Sequence, residues 1–522
     1  MRSTIRALLS SATSSGSSRG STPAGGSSSS KIKDTSPILT VFDLRRGQRE
    51  GDEADKILGF YPTHLDTNAQ TGVVGFAEAA NTFFSNFSEE KPVHSIVTKH
   101  QRWVLTQVEP SIFLMLIVRR ASSAGEVREE ALQQMLHRVH SIVCLDNKSI
   151  QCMLDADPTG EAARQCLQGL LADVGAAIAV DKGREVTELA NPLSQRSSCA
   201  TLRVPREAFS CMQTLLSSIL TSYGGKAVHG VTALFDRHLI WSTLTAKDTA
   251  VLYQLALSAF HGKKKKASNN GHSHAQRQSP HWQPDCWEEV MRGFYAMKSS
   301  AWRGAANGAV LGQQAPPHGL YAARFPRVFV SQGEQTCLVT PYMQDGLLLL
   351  LLINDWVDPS DEMLSGLAGL MRPKACKLAS MCHTLISSYK DGHVAGYRYL
   401  YESCGTLTAQ GSPAPKVATL SKESTLMISS IRSSLEQQRF ALATMEPHLD
   451  SIYKSNMSSW ELLPSEPREL IVESANGCWL VVRQSGPRRL FCIMESGQDN
   501  MLAASEAAST FVNLNYPGLF ET

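Results

Sequence analysis

Seven apolar residues stand in an unbroken row from Leu347 to Ile353, closed by Asp345-Gly346 on one side and Asn354-Asp355 on the other. A membrane-spanning helix needs about 20 predominantly apolar residues, so the run is far too short to cross a bilayer. At about 3.3 Å per residue it has the length of a strand buried on both faces. A short leucine run is by itself compatible with a buried helix; the turn-forming residues at both ends favour the strand. Ile112–Val118 is a second run of this kind and Arg488–Ser496 a weaker third. No segment of the sequence reaches membrane-spanning length.

Around these runs one order of elements recurs. Residues 37–46 and 54–62 read as a strand pair. Residues 72–88 place Phe76, Ala80, Phe83, Phe84 and Phe87 at helical spacing, one apolar stripe; adjacent Phe83 and Phe84 point about 100° apart, so one side can pack on the sheet while another stays available. Three strands follow, at Val93–Thr98, Trp103–Val108 and Ile112–Val118, then helices over 125–145 and near 160–180. The order returns with strands at 229–236 and 238–244 and a helix opening on Thr245-Ala246-Lys247-Asp248, which has the shape of a capping box. After a polar break at 261–322 come strands at Phe325–Ser331, Thr336–Thr340 and the leucine run. Two helices, 360–371 and 374–389, close this round. A third, looser round has a strand at 394–403, a weak strand candidate at 415–420, a helix over 421–446, strands near 468–474, 478–484 and 488–494, and a helix over 499–514.

Two strands, a helix, three strands and one or two helices predict a five-stranded antiparallel sheet with helices on both faces. The fold class is therefore α+β: three longin (roadblock-like) domains. Their expected limits are 37–180, 200–390 with a flexible insert at 261–322, and 391–522, behind a basic Ser/Gly-rich tail at 1–36.

Composition narrows the function classes. The 12 cysteines form no C-x-x-C pair, against both a zinc ribbon and a disulfide-stapled secreted domain. The net charge of +2 is unevenly spread. Residues 1–33 and 262–284 hold five basic side chains each and no acid, so the remainder is mildly acidic. That is no nucleic-acid footprint. The basic segments read as solvated linker charge or as a peripheral contact with anionic lipid. The Arg- and Ser-rich start is compatible with an organelle transit peptide and with a disordered tail alike.

No constellation for covalent chemistry stands out. Gly16–Gly20 matches G-x-S-x-G without the strand and helix that a nucleophile elbow needs. His272, His274 and His281 lie in a Ser/Gly/Gln-rich stretch without ligand partners at metal spacing. Gly304, Gly308 and Gly312 do not make a dinucleotide fingerprint. Trp282, Trp287 and Trp302 suggest an amphipathic insert that packs on the body or on a partner. No metal and no cofactor is expected.

Several phrases resemble one family. "RRGQREGDEADKILGFYP" at 45–62, "VGFAEAANTFF" at 74–84, "FLMLIVRR" at 113–120, "LFDRHLIWSTL" at 234–244 and "FVNLNYPGLF" at 511–520 are similar to vacuolar fusion proteins of the Ccz-one family (calcium-caffeine-zinc sensitivity). The resemblance runs from about residue 37 to the end, outside 261–322. It implies three longin domains and a heterodimer with a Mon-one longin subunit. That pair is a guanine nucleotide exchange factor for the late-endosomal and vacuolar Rab GTPase. It is cytoplasmic, recruited peripherally to the late endosome, the prevacuolar compartment and the vacuole membrane, with no covalent catalysis and no catalytic residue. The alternative is a non-catalytic longin scaffold or adaptor of a membrane-trafficking complex. On the first reading Phe83, Phe84 and Phe87 of the first helix, and Val93, His94 and Ile96 of "KPVHSIV", are the candidate contacts to partner and GTPase. Each is equally readable as ordinary core or strand.

Overall fold

The leucine run is the strand β13 (Leu347–Asn354), and every residue of it is buried. The computed structural model describes residues 37–86, 94–120, 129–180, 192–193, 198–224, 227–260, 287–297, 325–388, 394–445, 468–494, 500–517 and 519–520. The basic tail, most of the 261–322 stretch, His272, His274, His281, Trp282 and Trp302 lie outside the described residues. The chain divides into two compact units, 1–140 with 150–187, and 141–149 with 188–522.

The first unit holds β1 (Ile38–Asp43), β2 (Ile57–Tyr61), β3 (Ser95–Val97), β4 (Gln101–Glu109) and β5 (Ile112–Arg119). They form a five-stranded sheet in the order β2-β1-β5-β4-β3. All its pairings are antiparallel. Alternation along the strands sends side chains to two faces. On one face Ile38, Phe42, Phe60, Leu105, Phe113, Met115 and Ile117 pack with Val73, Val74 and Ala77 of α1 (Thr67–Ser85).

Helices α2 (Glu129–Asn147, to His140 in this unit), α3 (Ile150–Ala156) and α4 (Glu161–Val180) bring buried Leu132, Leu136, Met153, Leu167 and Leu171. Gly59 of β2 lets α4 come close: a Cβ there would lie 2.8 Å from Leu171 Cδ1. From α4, Gln168 reaches the outer edge of β2, accepting from the Phe60 N–H at 3.0 Å and donating to its carbonyl at 2.7 Å. One side chain thereby satisfies an edge backbone pair that would otherwise invite another strand.

The second unit holds two sheets. One has seven strands: β7 (Val228–Phe235), β8 (His238–Ser242), β9 (Trp287–Met291), β10 (Phe294–Met297), β11 (Arg327–Val330), β12 (Gln335–Gln344) and β13. Leucines alternate between two cores. Leu347, Leu349 and Leu351 face α5 (Arg206–Tyr223) and α7 (Asp361–Ser388), while Leu348, Leu350 and Leu352 face α6 (Ala246–Phe260). Asp345 and Gly346, with φ of 48° and 82°, make the two-residue turn into β13, whose left-handed backbone matches strand twist. One half of the expected capping box at α6 is present: the Asp248 N–H donates to Thr245 Oγ1 at 3.2 Å, while the Asp248 carboxylate accepts from the Thr245 hydroxyl at 2.7 Å and from the Ser331 N–H at 3.1 Å.

Three expectations for this sheet need correction. Residues 287–297, read as part of a flexible insert, form the hairpin β9–β10, which pairs with β12 through Phe294 and Tyr342. Helices 360–371 and 374–389 are one helix, with Pro373 inside it. Buried Leu367, Met371, Ala375 and Leu378 on both sides of it hold the helix through the lost hydrogen bond. Helix α5, with Ala208, Met212, Leu215, Leu216 and Ile219 buried at helical spacing, stands outside the expected pattern altogether.

The other sheet has six strands in the order β16-β17-β18-β14-β15-β6. They are β14 (Tyr397–Ser403), β15 (Thr408–Gly411), β16 (Arg468–Glu473), β17 (Trp479–Ser485), β18 (Arg488–Met494) and the short β6 (Cys199–Ala200). Its second strand is β15, not 415–420; Ala414–Val417 is a short helix, α8. Helix α9 (Lys422–Met445) puts Ile428 over Leu480, Phe491 and Ile493, and α10 (Met501–Asn515) puts Ala504, Ala508 and Phe511 on the other side. Burial pushes the thiols of Cys337, Cys382 and Cys492 up to about 12, so these cysteines pack as small apolar groups.

Candidate functional site: an uncovered edge of the first sheet

Helix α1 opens on Asp66, whose carboxylate accepts from the Ala69 N–H at 2.6 Å. Its buried residues are Val73, Val74 and Ala77, while Phe76, Ala80 and Phe83 of the apolar stripe are only half-buried. Phe76 is half-buried with its ring against the Trp103 edge at 5.1 Å. Past it, Phe83 and Phe84 meet edge to face at 5.3 Å. Phe83 is half-buried and Phe84 is 36% exposed. Consecutive helix positions point about 100° apart, so two adjacent phenylalanines cannot share one inward stripe. Lys56 fixes the helix to the turn before β2 through a 2.6 Å ion pair with Glu78.

Strand β3 pairs with β4 alone among the described residues. The Leu105 N–H donates to the His94 carbonyl at 2.9 Å, and the Thr98 N–H to the Gln101 carbonyl at 2.9 Å. In an antiparallel ladder hydrogen-bonded pairs alternate with open ones. The backbone groups of His94, Ile96 and Thr98 are therefore directed to β4, and those of Ser95 and Val97 to the open side. Ile96 packs against the core on the α1 face, His94 is exposed, and Val97 is 50% exposed. Phe87 and Val93 lie outside the described residues. Val97 and Trp103 were missing from the candidate residues; the strand alternation, which sets Val97 on the face opposite Ile96, was the available signal.

The far end of β4 is held by Glu109. Its carboxylate accepts from the N–H groups of Ile150 at 2.9 Å and Gln151 at 2.8 Å, at the start of α3, and from His140 Nε2 at 2.9 Å. Burial raises the Glu109 pKa, but those three donors outweigh it and hold the group below the ordinary glutamate value. With both oxygens engaged, this carboxylate acts as a helix cap that ties α2 and α3 to the sheet.

A sheet ordered β2-β1-β5-β4-β3, with α1 on one face, makes the first unit a longin domain. A family model described as the first longin domain of INTU, CCZ1 and HPS4 matches residues 36–148. Similarity to curated relatives covers nearly the whole chain. The vacuolar fusion protein CCZ1 homolog A of Arabidopsis thaliana is 23% identical over 93% of this chain and 98% of its own. The homolog of Oryza sativa subsp. japonica is 26% identical over the same shares, 93% and 98%. That of Dictyostelium discoideum is 22% identical over 92% and 97%. Along nearly its whole length the chain is similar to vacuolar fusion proteins named CCZ1, and its first longin domain matches the model that includes them. Among the described residues no helix is long and apolar enough to cross a membrane.

Proposed function

We propose that this chain is one subunit of a heterodimeric guanine nucleotide exchange factor, built on three longin domains and paired with a Mon-one longin subunit. Its substrate is the late-endosomal or vacuolar Rab GTPase, and its setting is fusion with the vacuole or lysosome, after peripheral recruitment to those membranes. The observation that carries this reading is the uncovered β3 edge and the exposed aromatic end of α1, both on the first longin domain. An open strand edge accepts another strand through backbone hydrogen bonds, and adjoining apolar side chains supply specificity. Ser95 and Val97 offer the backbone groups; Phe83, Phe84 and Val97 offer the apolar surface.

An exchange factor makes no covalent bond. A Rab closes its switch loops over nucleotide and Mg²⁺. A partner that binds the open-switch state more tightly lowers nucleotide affinity by the same factor, since coupling is reciprocal. Each tenfold loss of nucleotide affinity requires about 1.4 kcal/mol of differential binding. Burying one large apolar side chain supplies about 1.5–3 kcal/mol. Two or three residues of the size of Phe84 therefore account for a useful acceleration.

The test is co-expression with the Mon-one partner and measurement of fluescent-GDP release from the vacuolar Rab. Acceleration at micromolar complex, lost on Phe84→Asp with the pair intact, is the expected result. A stable pair that leaves GDP release unchanged would replace the exchange factor by the scaffold reading. Failure of the two chains to pair at all would remove the heterodimer.

A further inference from the structure

The segment that leads into the seven-stranded sheet is held first by the other sheet of its unit, the one encoded last. Leu193 is 2% exposed and sits in the core with Leu400, Val417, Ile428 and Phe491. The carbonyl before it, of Pro192, accepts from Arg432 Nη1 at 2.7 Å. Arg432, on α9, is itself buried, with its Nη2 paired to the Glu402 carboxylate of β14 and its guanidinium 5.9 Å from the Phe491 ring centroid. Its planar fork thus has two anionic or carbonyl acceptors and an aromatic face, the geometry for which arginine is suited and lysine is not.

A few residues on, the same segment becomes a wedge between two sheet edges. The Cys199 N–H donates to the Leu407 carbonyl at 2.8 Å and the Thr201 N–H to the Ala409 carbonyl at 3.1 Å, both on or beside β15. The next amide, Leu202 N–H, donates to the Leu239 carbonyl of β8 at 3.1 Å. The Cys199 side chain is fully buried in the core with Leu239 and Leu252, so the wedge belongs to both sheets. Residues 199–202 thereby cover the outer edge of β15 and the adjoining edge of β8 together.

We propose that the described residues 192–193 and 198–202 are a strap by which the C-terminal sheet seats the chain entering the preceding one, and that Arg432 is the positioning residue that latches it at Pro192. The path of residues 199–202 then depends on a side chain more than 200 positions away in sequence. The strap's residues and its readout lie in the second unit, and its test measures amide protection, not nucleotide exchange. Hydrogen exchange on the full chain reads it directly at the amides of Cys199, Thr201 and Leu202.

Arg432→Met removes the fork while keeping bulk, and Leu193→Ala removes the neighbouring anchor without touching α9. In both variants exchange at those three amides is expected to accelerate at least tenfold, while β17 and β18 keep their protection. Arg432→Lys, which keeps a charge beside Glu402 but lacks the fork, should fall between wild type and Arg432→Met. If Arg432→Met also loosens β17 and β18, Leu193→Ala decides, since it leaves the Arg432–Glu402 pair in place. Unchanged exchange at 199–202 in Leu193→Ala, or in an Arg432→Met chain whose sheet is intact, overturns the strap.

Discussion

The edges of the first sheet and those of the seven-stranded sheet are treated differently. In the second unit β12 is covered by the hairpin β9–β10 on one side of its path, and β8 adjoins residues 201–202. In the first unit β2 is closed by a side chain, Gln168, and β3 has no cover among the described residues. Unpaired strand edges are liabilities that proteins normally blunt. The β3 edge, with Val97 half exposed on it, is where the proposed partner would add its strand. In the seven-stranded sheet both β10 and β11 pair with β12, so that strand has partners on its outer side where β4 of the first sheet has, among the described residues, only the short β3.

Four substitutions break or sharpen this contrast. The largest effect is expected inside the covered sheet. Leu350→Ala in β13 should cost about 2–5 kcal/mol, measured by chemical denaturation, because it opens a cavity between β13 and α6. A loss below about 1 kcal/mol would mean that the leucines do not divide between two tight cores.

The second test addresses the open edge. Phe84→Asp should leave the unfolding midpoint and the longin pair nearly unchanged and weaken binding of the GTPase by about 1.5–3 kcal/mol, roughly ten- to a hundredfold. A drop in stability with unaltered binding would reassign Phe84 to the core. This comparison of two readouts also answers whether the aromatic end of α1 is surface or interior, which its spacing left open.

A smaller effect is expected at the opposite end of β4. Glu109→Gln keeps the shape but loses charge-assisted acceptance from Ile150, Gln151 and His140, and should cost about 1–3 kcal/mol. The pH signature has a definite sign. Glu109 titrates below its ordinary value in the folded chain, so its contribution is complete above the unfolded value of about 4.3 and is lost as pH falls through the depressed one. The wild type should therefore lose more stability than Glu109→Gln on acidification in that window. Parallel acid profiles would deny the cap its charge.

The smallest is Gln168→Ala, expected at about 1 kcal/mol through the unsatisfied Phe60 backbone pair. It also makes the first sheet open on both sides. A rise in self-association, measured by light scattering, would show that the side chain guards the edge; a purely monomeric variant of unchanged stability would show that it does not.

Much of this was readable from residues alone, and the reasons are local. A strand that must be apolar on both faces leaves a mark such as Leu347–Ile353, and a turn that needs left-handed backbone leaves Asp345-Gly346. The Thr245 cap was legible because Thr245 and Asp248 lie within four residues. The hairpin β9–β10 was hidden because its flanks are polar and its pairing partner, Tyr342, is far along the chain. The second strand of the last sheet was misplaced because Thr408–Gly411 has almost no apolar content and is a strand only by its pairing with β14 and β6. Of the candidate site, the strand and the aromatic helix end were visible, but not which of their residues face outward.

Alone, the order of residues determined the α+β class, the repeated succession of elements and the buried central strands, because hydrophobic period and turn chemistry act over a few positions. The tertiary structure alone decided which edges are covered, which phenylalanine of an adjacent pair is exposed, and that Arg432 reaches Pro192. Those depend on which distant segments come to lie side by side, and no short-range pattern encodes that.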